Sequence, residues 1–205
     1  MRLACCLAAL FSVTPAAAFA QAASAVTEWE FEASVYTYFL PEESDFLVSA
    51  FAADRGWLHL EARFNSEALD TGSAWIGYNF DGGDTVTWDV TPMVGAAFGE
   101  TVGIAPGYKG SVGWKKFEFY SEGAFVFARE SADTYLYNWS ELTFAPVEAF
   151  RFGLVTERTR VYQTERNIQR GLLAGVSYRR ADIAGYVFNP DGDKPTFILS
   201  FALTF

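Results

Sequence analysis

The chain has 205 residues, enough for one domain, and its 25 acidic residues against 15 Lys and Arg give a formal net charge of −10. This acidic balance excludes nucleic-acid binding, which needs a basic surface. Hydrophobic residues make up 51% of the chain, yet no apolar run downstream of the N-terminus approaches the ~20 residues of a transmembrane helix. Such a chain is either soluble or crosses a membrane as strands.

The N-terminal segment predicts export. Arg2 precedes an apolar run, and Ala18, Phe19 and Ala20 form a small-x-small cleavage pattern. Residues 1–20 are therefore predicted to be a cleaved secretory signal peptide, and residues 21–205 the mature domain. A lipoprotein cysteine is the competing interpretation, but Cys5 and Cys6 lie ahead of the apolar run instead of behind it. Cleavage removes both cysteines, so the mature chain has no thiol for a disulfide, a metal or a nucleophile.

Apolar and polar residues alternate with period two along most of the chain, and the 3.6-residue period of a helix rarely occurs. Successive strand side chains point to opposite faces, so each run predicts a strand with one apolar face. In residues 57–65, one face holds Leu58, Leu60, Ala62 and Phe64, and the other His59, Glu61, Arg63 and Asn65. Residues 135–145 and 150–163 alternate less cleanly, and the pattern does not determine their facing.

Turn-forming clusters separate these runs at even spacing. They lie at residues 41–45, 54–56, 65–70, 81–84, 99–103, 115–116, 130–133, 146–149, 164–167, 180–182 and 189–195. These eleven breaks predict twelve strands. Longer and shorter breaks tend to alternate, as in a barrel with loops at one rim and tight turns at the other. If residues 54–56 do not break a strand, ten strands is the alternative.

Three observations indicate that the apolar face points outward. A barrel of twelve strands is too wide for side chains to fill with an apolar core, so its interior is expected to be polar and water-filled. The polar face is rich in Glu, Tyr, Ser, Thr and Gly instead of Lys. The chain also ends on an apolar stripe of alternate residues, namely Phe197, Leu199, Phe201, Leu203 and Phe205.

This last strand resembles the C-terminal signature of Gram-negative outer-membrane β-barrel proteins of the porin-like type, without pointing to a particular family. The resemblance implies an all-β fold, a closed antiparallel up-and-down transmembrane β-barrel in the bacterial outer membrane. It also implies contact with outer-membrane lipids and lipopolysaccharide, and reading of the last strand by the barrel-assembly machinery. Barrel closure is expected to pair this strand with the first, near residues 26–39, because an open edge cannot be satisfied in lipid.

The predicted interior is acidic, which suggests a function. The candidate lumen-lining residues are Glu30, Glu32, His59, Glu61, Arg63, Asp89, Lys109, Glu118, Glu122 and Glu141. An excess of carboxylates biases a water-filled pore toward cations, so one interpretation is a narrow, passive, weakly cation-preferring pore for small solutes. The other interpretation is that these charges pair across the lumen and plug it, leaving a structural or surface-interaction role.

An outer-membrane enzyme acting on lipid or lipopolysaccharide is the third alternative. It depends on His59, the only histidine, and on serines 49, 73, 111, 121 and 140, which lie in predicted strands. No H-x-S, G-x-S-x-G or H-E-x-x-H pattern accompanies that histidine. We therefore predict no catalytic residue. The DGGD and NPDGDK segments are predicted to be turns, and we predict no metal or cofactor.

Overall fold

The computed structural model describes residues 28–41, 44–66, 71–130, 134–161 and 167–205. The predicted signal peptide lies outside the described residues. Within them the chain forms β1 (Glu30–Phe39), β2 (Phe46–Arg55), β3 (Leu58–Asn65), β4 (Thr71–Tyr78), β5 (Phe80–Gly82), β6 (Val86–Phe98), β7 (Gly103–Trp114), β8 (Phe117–Ala128), β9 (Tyr135–Val147), β10 (Phe150–Val161), β11 (Asn167–Tyr178), β12 (Ala181–Phe188) and β13 (Thr196–Thr204). No helix among these residues is long and apolar enough to span a membrane.

All strands belong to one antiparallel sheet that closes on itself. Apart from β4 and β5, each strand pairs with its neighbours in chain order, and β13 pairs with β1 from Glu32 opposite Thr204 to Phe39 opposite Phe197. The wall is completed by pairing between β4 and β6. The predicted all-β, closed up-and-down barrel is therefore confirmed.

The short strand β5 continues β4 along the same line, so that the two occupy one strand position in the wall. Gly77 of β4 lies opposite Met93 of β6, and Phe80 of β5 lies opposite Val90, which is the same register carried three residues further. The interruption falls opposite Pro92, which has no N–H to donate to the ladder. Counting β4 and β5 as one strand gives twelve strands around the barrel. The twelve-strand prediction is confirmed, and the ten-strand alternative is wrong.

The two rims of the barrel differ as predicted. At the tight-turn rim, short turns connect the strands at residues 56–57, 83–85, 115–116, 148–149 and 179–180. Gly56, Lys115 and Arg179 have positive φ angles of 57, 57 and 56°, the left-handed conformation that suits short hairpins. The loop rim carries the longer connections. The break predicted at residues 180–182 lies about one residue too late, because β12 already begins at Ala181.

The apolar face of the wall points outward. On β3 the side chains of Leu60 and Phe64 are 37% and 46% exposed, whereas His59, Glu61 and Arg63 between them are buried. Exposed rings also line the tight-turn rim, where Trp57 stacks on Tyr78 with ring centroids 5.3 Å apart. A soluble barrel would show the opposite arrangement, because it buries its apolar face.

Candidate functional site in the barrel interior

The interior has two halves with different chemistry. Toward the tight-turn rim, the inward side chains include the part-exposed carboxylates of Glu32, Asp54, Asp89 and Glu118, which we call the acidic vestibule. Toward the loop rim, the inward side chains are mostly buried aromatic and aliphatic groups. Both halves follow from the same alternation, because every strand turns alternate residues inward over its whole length.

A central charge network lies between the two halves, and Glu61 is its centre. Its carboxylate accepts hydrogen bonds from Arg63 on the same strand and from Lys109 of β7, whose Nζ lies 3.4 Å away. Since β3 and β7 are not adjacent, this ion pair crosses part of the lumen. Glu61 is 4% exposed and Arg63 is 3% exposed, so water does not replace these partners.

His59 extends the network toward the acidic vestibule. Its Nδ1 lies 2.8 Å from Asp54 Oδ1, and its Nε2 lies 3.1 Å from Glu61 Oε2. Asn79, at the interruption between β4 and β5, donates to Asp54 over 2.6 Å and accepts from the Thr91 hydroxyl over 2.7 Å. The His59 ring therefore bridges two carboxylates.

The serines considered as nucleophiles hydrogen-bond elsewhere. Ser73 accepts from the Trp75 indole over 2.8 Å, and Ser111 donates to Asp89. Ser121 and Ser140 lie on the outer face of β8 and β9 and hydrogen-bond each other over 3.0 Å. A serine nucleophile needs a base within hydrogen-bond reach. These contacts give His59 the geometry of a structural member of a charge network.

A second polar group lies on the opposite part of the wall. Arg151 of β10 donates to Asp182 of β12 through both terminal nitrogens, over 2.5 and 2.9 Å, and Ser177 donates to the same carboxylate over 2.6 Å. This fork-to-fork geometry is the strongest form of carboxylate recognition by arginine. Glu141 accepts from the Trp139 indole over 3.0 Å and is also hydrogen-bonded by Tyr186.

The loop-rim half of the interior is filled by what we call the aromatic core. Its members are Tyr36, Tyr38, Phe46, Trp75, Tyr120, Tyr135, Tyr137, Trp139, Tyr186 and Phe188, all at most 5% exposed. Trp139 of β9 packs edge-on against Tyr186 and Phe188 of β12, with ring centroids 5.4 Å apart in both pairs. The expectation that twelve strands leave the lumen too wide to fill is wrong for this half, because large rings from several strands reach into the lumen and pack together.

The predicted lumen-lining residues fall into three groups. His59, Glu61, Arg63, Glu122 and Glu141 are buried in the interior. Glu32, Asp89, Lys109 and Glu118 are inward and part-exposed, and Glu30 is exposed at the tight-turn rim. Whether any of these residues lines a conducting path stays a prediction.

Some interior residues were missed or misplaced by the sequence. Asp54 and Asp182 sat in predicted turns, although both belong to strands and point inward. Arg179 lies outside the interior, because it occupies a turn with its guanidinium 5.3 Å from the outward-facing Tyr178 ring. The sequence predicts a turn over residues 54–56, but only Gly56 of these lies in the turn, because β2 continues to Arg55.

The five residues predicted as an assembly signal form the outward face of β13. Phe197, Leu199, Phe201, Leu203 and Phe205 are 39–52% exposed. Phe205 also exchanges two backbone hydrogen bonds with Phe31, of 2.9 and 3.0 Å, just beyond the paired part of β1. Its ring stacks on that of Phe31 at 5.8 Å. These contacts make Phe205 the last rung of the seam that closes the barrel.

No family model matches the chain, and no curated protein matches it in sequence. Among solved structures, the chain matches the KdgM porin with a TM-score of 0.62 at 8% identity, over 85% of this chain and 99% of that one. The KdgM porin in complex with disordered oligogalacturonate gives 0.65 with the same identity and coverage. The NanC porin gives 0.55 at 10% identity, over 83% of this chain and 98% of that one. The fold is that of an outer-membrane porin.

The likeness extends over 98–99% of the length of those porins. At this level of identity it establishes the barrel architecture and leaves the solute and the mechanism to the interior of this chain. The interior is therefore the place to look for function.

Proposed function

We propose that this chain is an outer-membrane barrel of the porin type that passes small solutes through a narrow lumen, which its aromatic core constricts so that it opens only briefly. The observation that carries this proposal is the division of the interior: part-exposed carboxylates toward the tight-turn rim, and a packed aromatic core toward the loop rim. We place the tight-turn rim toward the periplasm, because the short turns of outer-membrane barrels face that side. Solute entering from the periplasm meets the acidic vestibule first.

The charge of the vestibule supports a weak preference for cations. Around Glu32, Asp54, Asp89 and Glu118, the cations Lys109 and Arg151 are already engaged by Glu61 and Asp182. Carboxylates therefore dominate the field in the water-accessible half, and low-dielectric walls focus that field. KdgM has been solved with oligogalacturonate, an acidic sugar polymer. We propose that the acidic interior of this chain favours neutral or cationic solutes instead.

A permanently plugged barrel is the second candidate, and the central charge network favours it. The pair between Glu61 and Lys109 ties β3 to β7 across the interior, and buried pairs of this kind are costly to break. Such a barrel would have a structural or surface-interaction role. We propose a non-enzymatic function in either case, since both ring nitrogens of His59 face carboxylates. We further propose that β13 is read by the barrel-assembly machinery.

Conductance across a planar bilayer separates the two candidates. The variant Phe46→Ala/Trp139→Ala/Phe188→Ala removes three buried rings of the aromatic core. We expect the wild type to give only brief, small openings, and the variant to give a steady current. Each truncation costs roughly 3–5 kcal/mol, so Trp139→Ala alone serves if the triple variant fails to fold.

The control is Leu142→Ala, which shortens an exposed side chain on the lipid-facing side of β9. It should behave like the wild type. A folded core variant that stays silent would favour the permanently plugged barrel. Steady, large currents from the wild type would instead show that the aromatic core does not close the lumen.

A further inference from the structure

Among the side chains that the structure describes, two arginines lie on the outer face of β10 and β11, next to apolar neighbours. Arg158 of β10 lies on the opposite face from the buried Val155 and Glu157, so its side chain points outward. Arg170 of β11 is exposed between Ile168 and Leu172, which are 45% and 50% exposed on the same face. Charged residues on a lipid-facing surface are costly unless a partner or the membrane interface receives them.

The two arginines lie close enough to act on one anion. Thr156 is opposite Arg170 and Arg158 is opposite Ile168, so the arginines are diagonal neighbours on adjacent strands. Such positions lie roughly 7–8 Å apart, within the reach of two long side chains. The Nε of Arg158 is buried and has no hydrogen-bond partner among the described residues. Guanidinium groups bind phosphate through two parallel hydrogen bonds.

This pair lies near the loop rim. Arg170 hydrogen-bonds through its backbone with Asn189, the first residue beyond β12: Asn189 N donates to its carbonyl over 2.7 Å. The Asn189 side chain accepts from Arg170 N over 3.3 Å. In the proposed orientation the loop rim faces the cell exterior, so the arginines lie where headgroups of the outer leaflet begin.

An apolar furrow begins directly below Arg170 on the same outer face. Gly185 of β12 forms its floor, because a Cβ placed there would meet no atom within 4 Å. The furrow has a volume of about 390 Å³, and its outward-facing walls are Phe39, Leu172, Ala174, Val187, Phe197 and Leu199. Leu172 and Ala174 follow Arg170 on β11, so the charged pair and the furrow form one continuous surface.

We propose that this surface binds the phosphorylated lipid anchor of lipopolysaccharide, with a phosphate at Arg158 and Arg170 and an acyl chain in the furrow over Gly185. The furrow is apolar and narrow, which suits a hydrocarbon chain, and the charge at its upper end suits an anionic headgroup. In the proposed orientation, the arginines and the furrow follow each other in the order in which an outer-leaflet lipid presents its headgroup and its acyl chains. The proposal rests on the membrane placement proposed above, and it does not depend on whether the lumen conducts.

Native mass spectrometry of the full chain in detergent tests this site, with lipid A as the probe and its dephosphorylated form as the comparison. We expect the wild type to bind lipid A roughly tenfold more tightly than the dephosphorylated lipid, because two charge-assisted contacts are lost with the phosphates. Arg158→Gln/Arg170→Gln should abolish this difference. Gly185→Leu should weaken both lipids by filling the furrow, while leaving the difference between them intact.

Two matched substitutions elsewhere on the wall serve as controls. Arg55→Gln removes an exposed arginine at the tight-turn rim, and Ala74→Leu enlarges an exposed outward residue on β4. Both should bind lipid A like the wild type. Equal binding of the two lipids by the wild type would overturn the proposal. Unchanged lipid A binding by the arginine variant would also overturn it. The same holds if the chain forms dimers that Gly185→Leu separates, because a second copy would then occupy the furrow.

Lipid binding and conductance are measured separately, so the two proposals fail separately. A barrel that conducts but shows no preference for the phosphorylated lipid lacks the proposed site. A barrel that binds lipid A as expected but never conducts, even with its core trimmed, keeps the lipid site and loses the pore.

Discussion

At the scale of single residues, Glu61 contacts three side chains of the central charge network. Arg63 donates to it, Lys109 reaches it from β7, and the His59 ring lies against it. Arg63 also lies over the Trp75 ring, 5.1 Å from its centroid, which fixes the guanidinium between the charge network and the aromatic core. One carboxylate therefore contacts two cationic side chains at the junction of the two halves.

Neutralising that carboxylate should destabilise the barrel strongly. In Glu61→Gln the buried Arg63 loses its counter-charge, and breaking a buried pair in this way costs about 3–5 kcal/mol. The matched control is Glu32→Gln, which changes a part-exposed carboxylate on the neighbouring part of the wall. It should cost about 1 kcal/mol or less. Urea unfolding in lipid vesicles, followed by tryptophan fluorescence, gives both values. Equal losses would mean that Glu61 is solvated.

Alternation identified the inward residues of the clean strands, including Glu61 and His59, because a strand has a fixed period of two. It did not identify Asp54 or Asp182, since aspartate is typical of turns and nothing in the sequence marks the inward residue nearest the end of a strand. It also did not distinguish a part-exposed carboxylate from a buried one. That difference depends on side chains reaching across the lumen from strands distant in sequence.

At the scale of elements, the seam between β1 and β13 determines whether the sheet has an edge. Eight residue pairs join the two strands, and the Phe31–Phe205 backbone pair extends them by one rung. The Phe205 ring contacts Phe31 at 5.8 Å and Phe51 of β2 at 6.3 Å. An aromatic cluster thus covers the end of the seam on the lipid-facing side.

We expect Phe205→Ser to weaken closure of the barrel. The substitution keeps the backbone rung but removes two aromatic contacts, worth about 1–2 kcal/mol together. The folded, heat-modifiable fraction in the membrane should fall and unfold at lower temperature. Phe127→Ser is the control, because it removes an exposed outward ring from β8, away from the seam. If both variants assemble equally well, the seam does not depend on this ring.

The number and order of the strands were predictable because turn chemistry is local. Each of the eleven predicted breaks overlaps or adjoins a connection of the structure or residues outside the described part of the chain. The facing of β9 and β10 was not, because both faces of these strands carry large or polar side chains. In the structure Tyr135, Tyr137 and Trp139 turn inward in regular alternation. The register shift between Phe150 and Phe152 lies at the opposite end of the two strands, beside the tight turn.

At the scale of the whole molecule, the barrel combines an acidic, water-accessible half with a packed half. Strand number predicted a wide lumen, but the size of the inward side chains decides whether it is filled. Trp139 of β9 contacts Tyr186 and Phe188 of β12, although two strands, β10 and β11, lie between them in the wall. This packing depends on contacts between distant strands, and no local pattern in the sequence marks it.

The last prediction concerns the acidic vestibule. In the core-trimmed variant, where a current is expected, Glu32→Gln/Asp89→Asn/Glu118→Gln should move the reversal potential in a salt gradient toward zero. These three carboxylates point inward and are part-exposed, so they act on passing ions through a field focused by the low-dielectric wall.

The control neutralises the same number of carboxylates outside the lumen, namely Glu28, Asp84 and Glu148, which are exposed at the tight-turn rim. Their field is screened over about 8 Å at physiological salt, so the reversal potential should change little. A shift of equal size in both variants would assign selectivity to the mouth of the barrel. Unchanged selectivity in the vestibule variant would show that permeating ions take a path that avoids Glu32, Asp89 and Glu118.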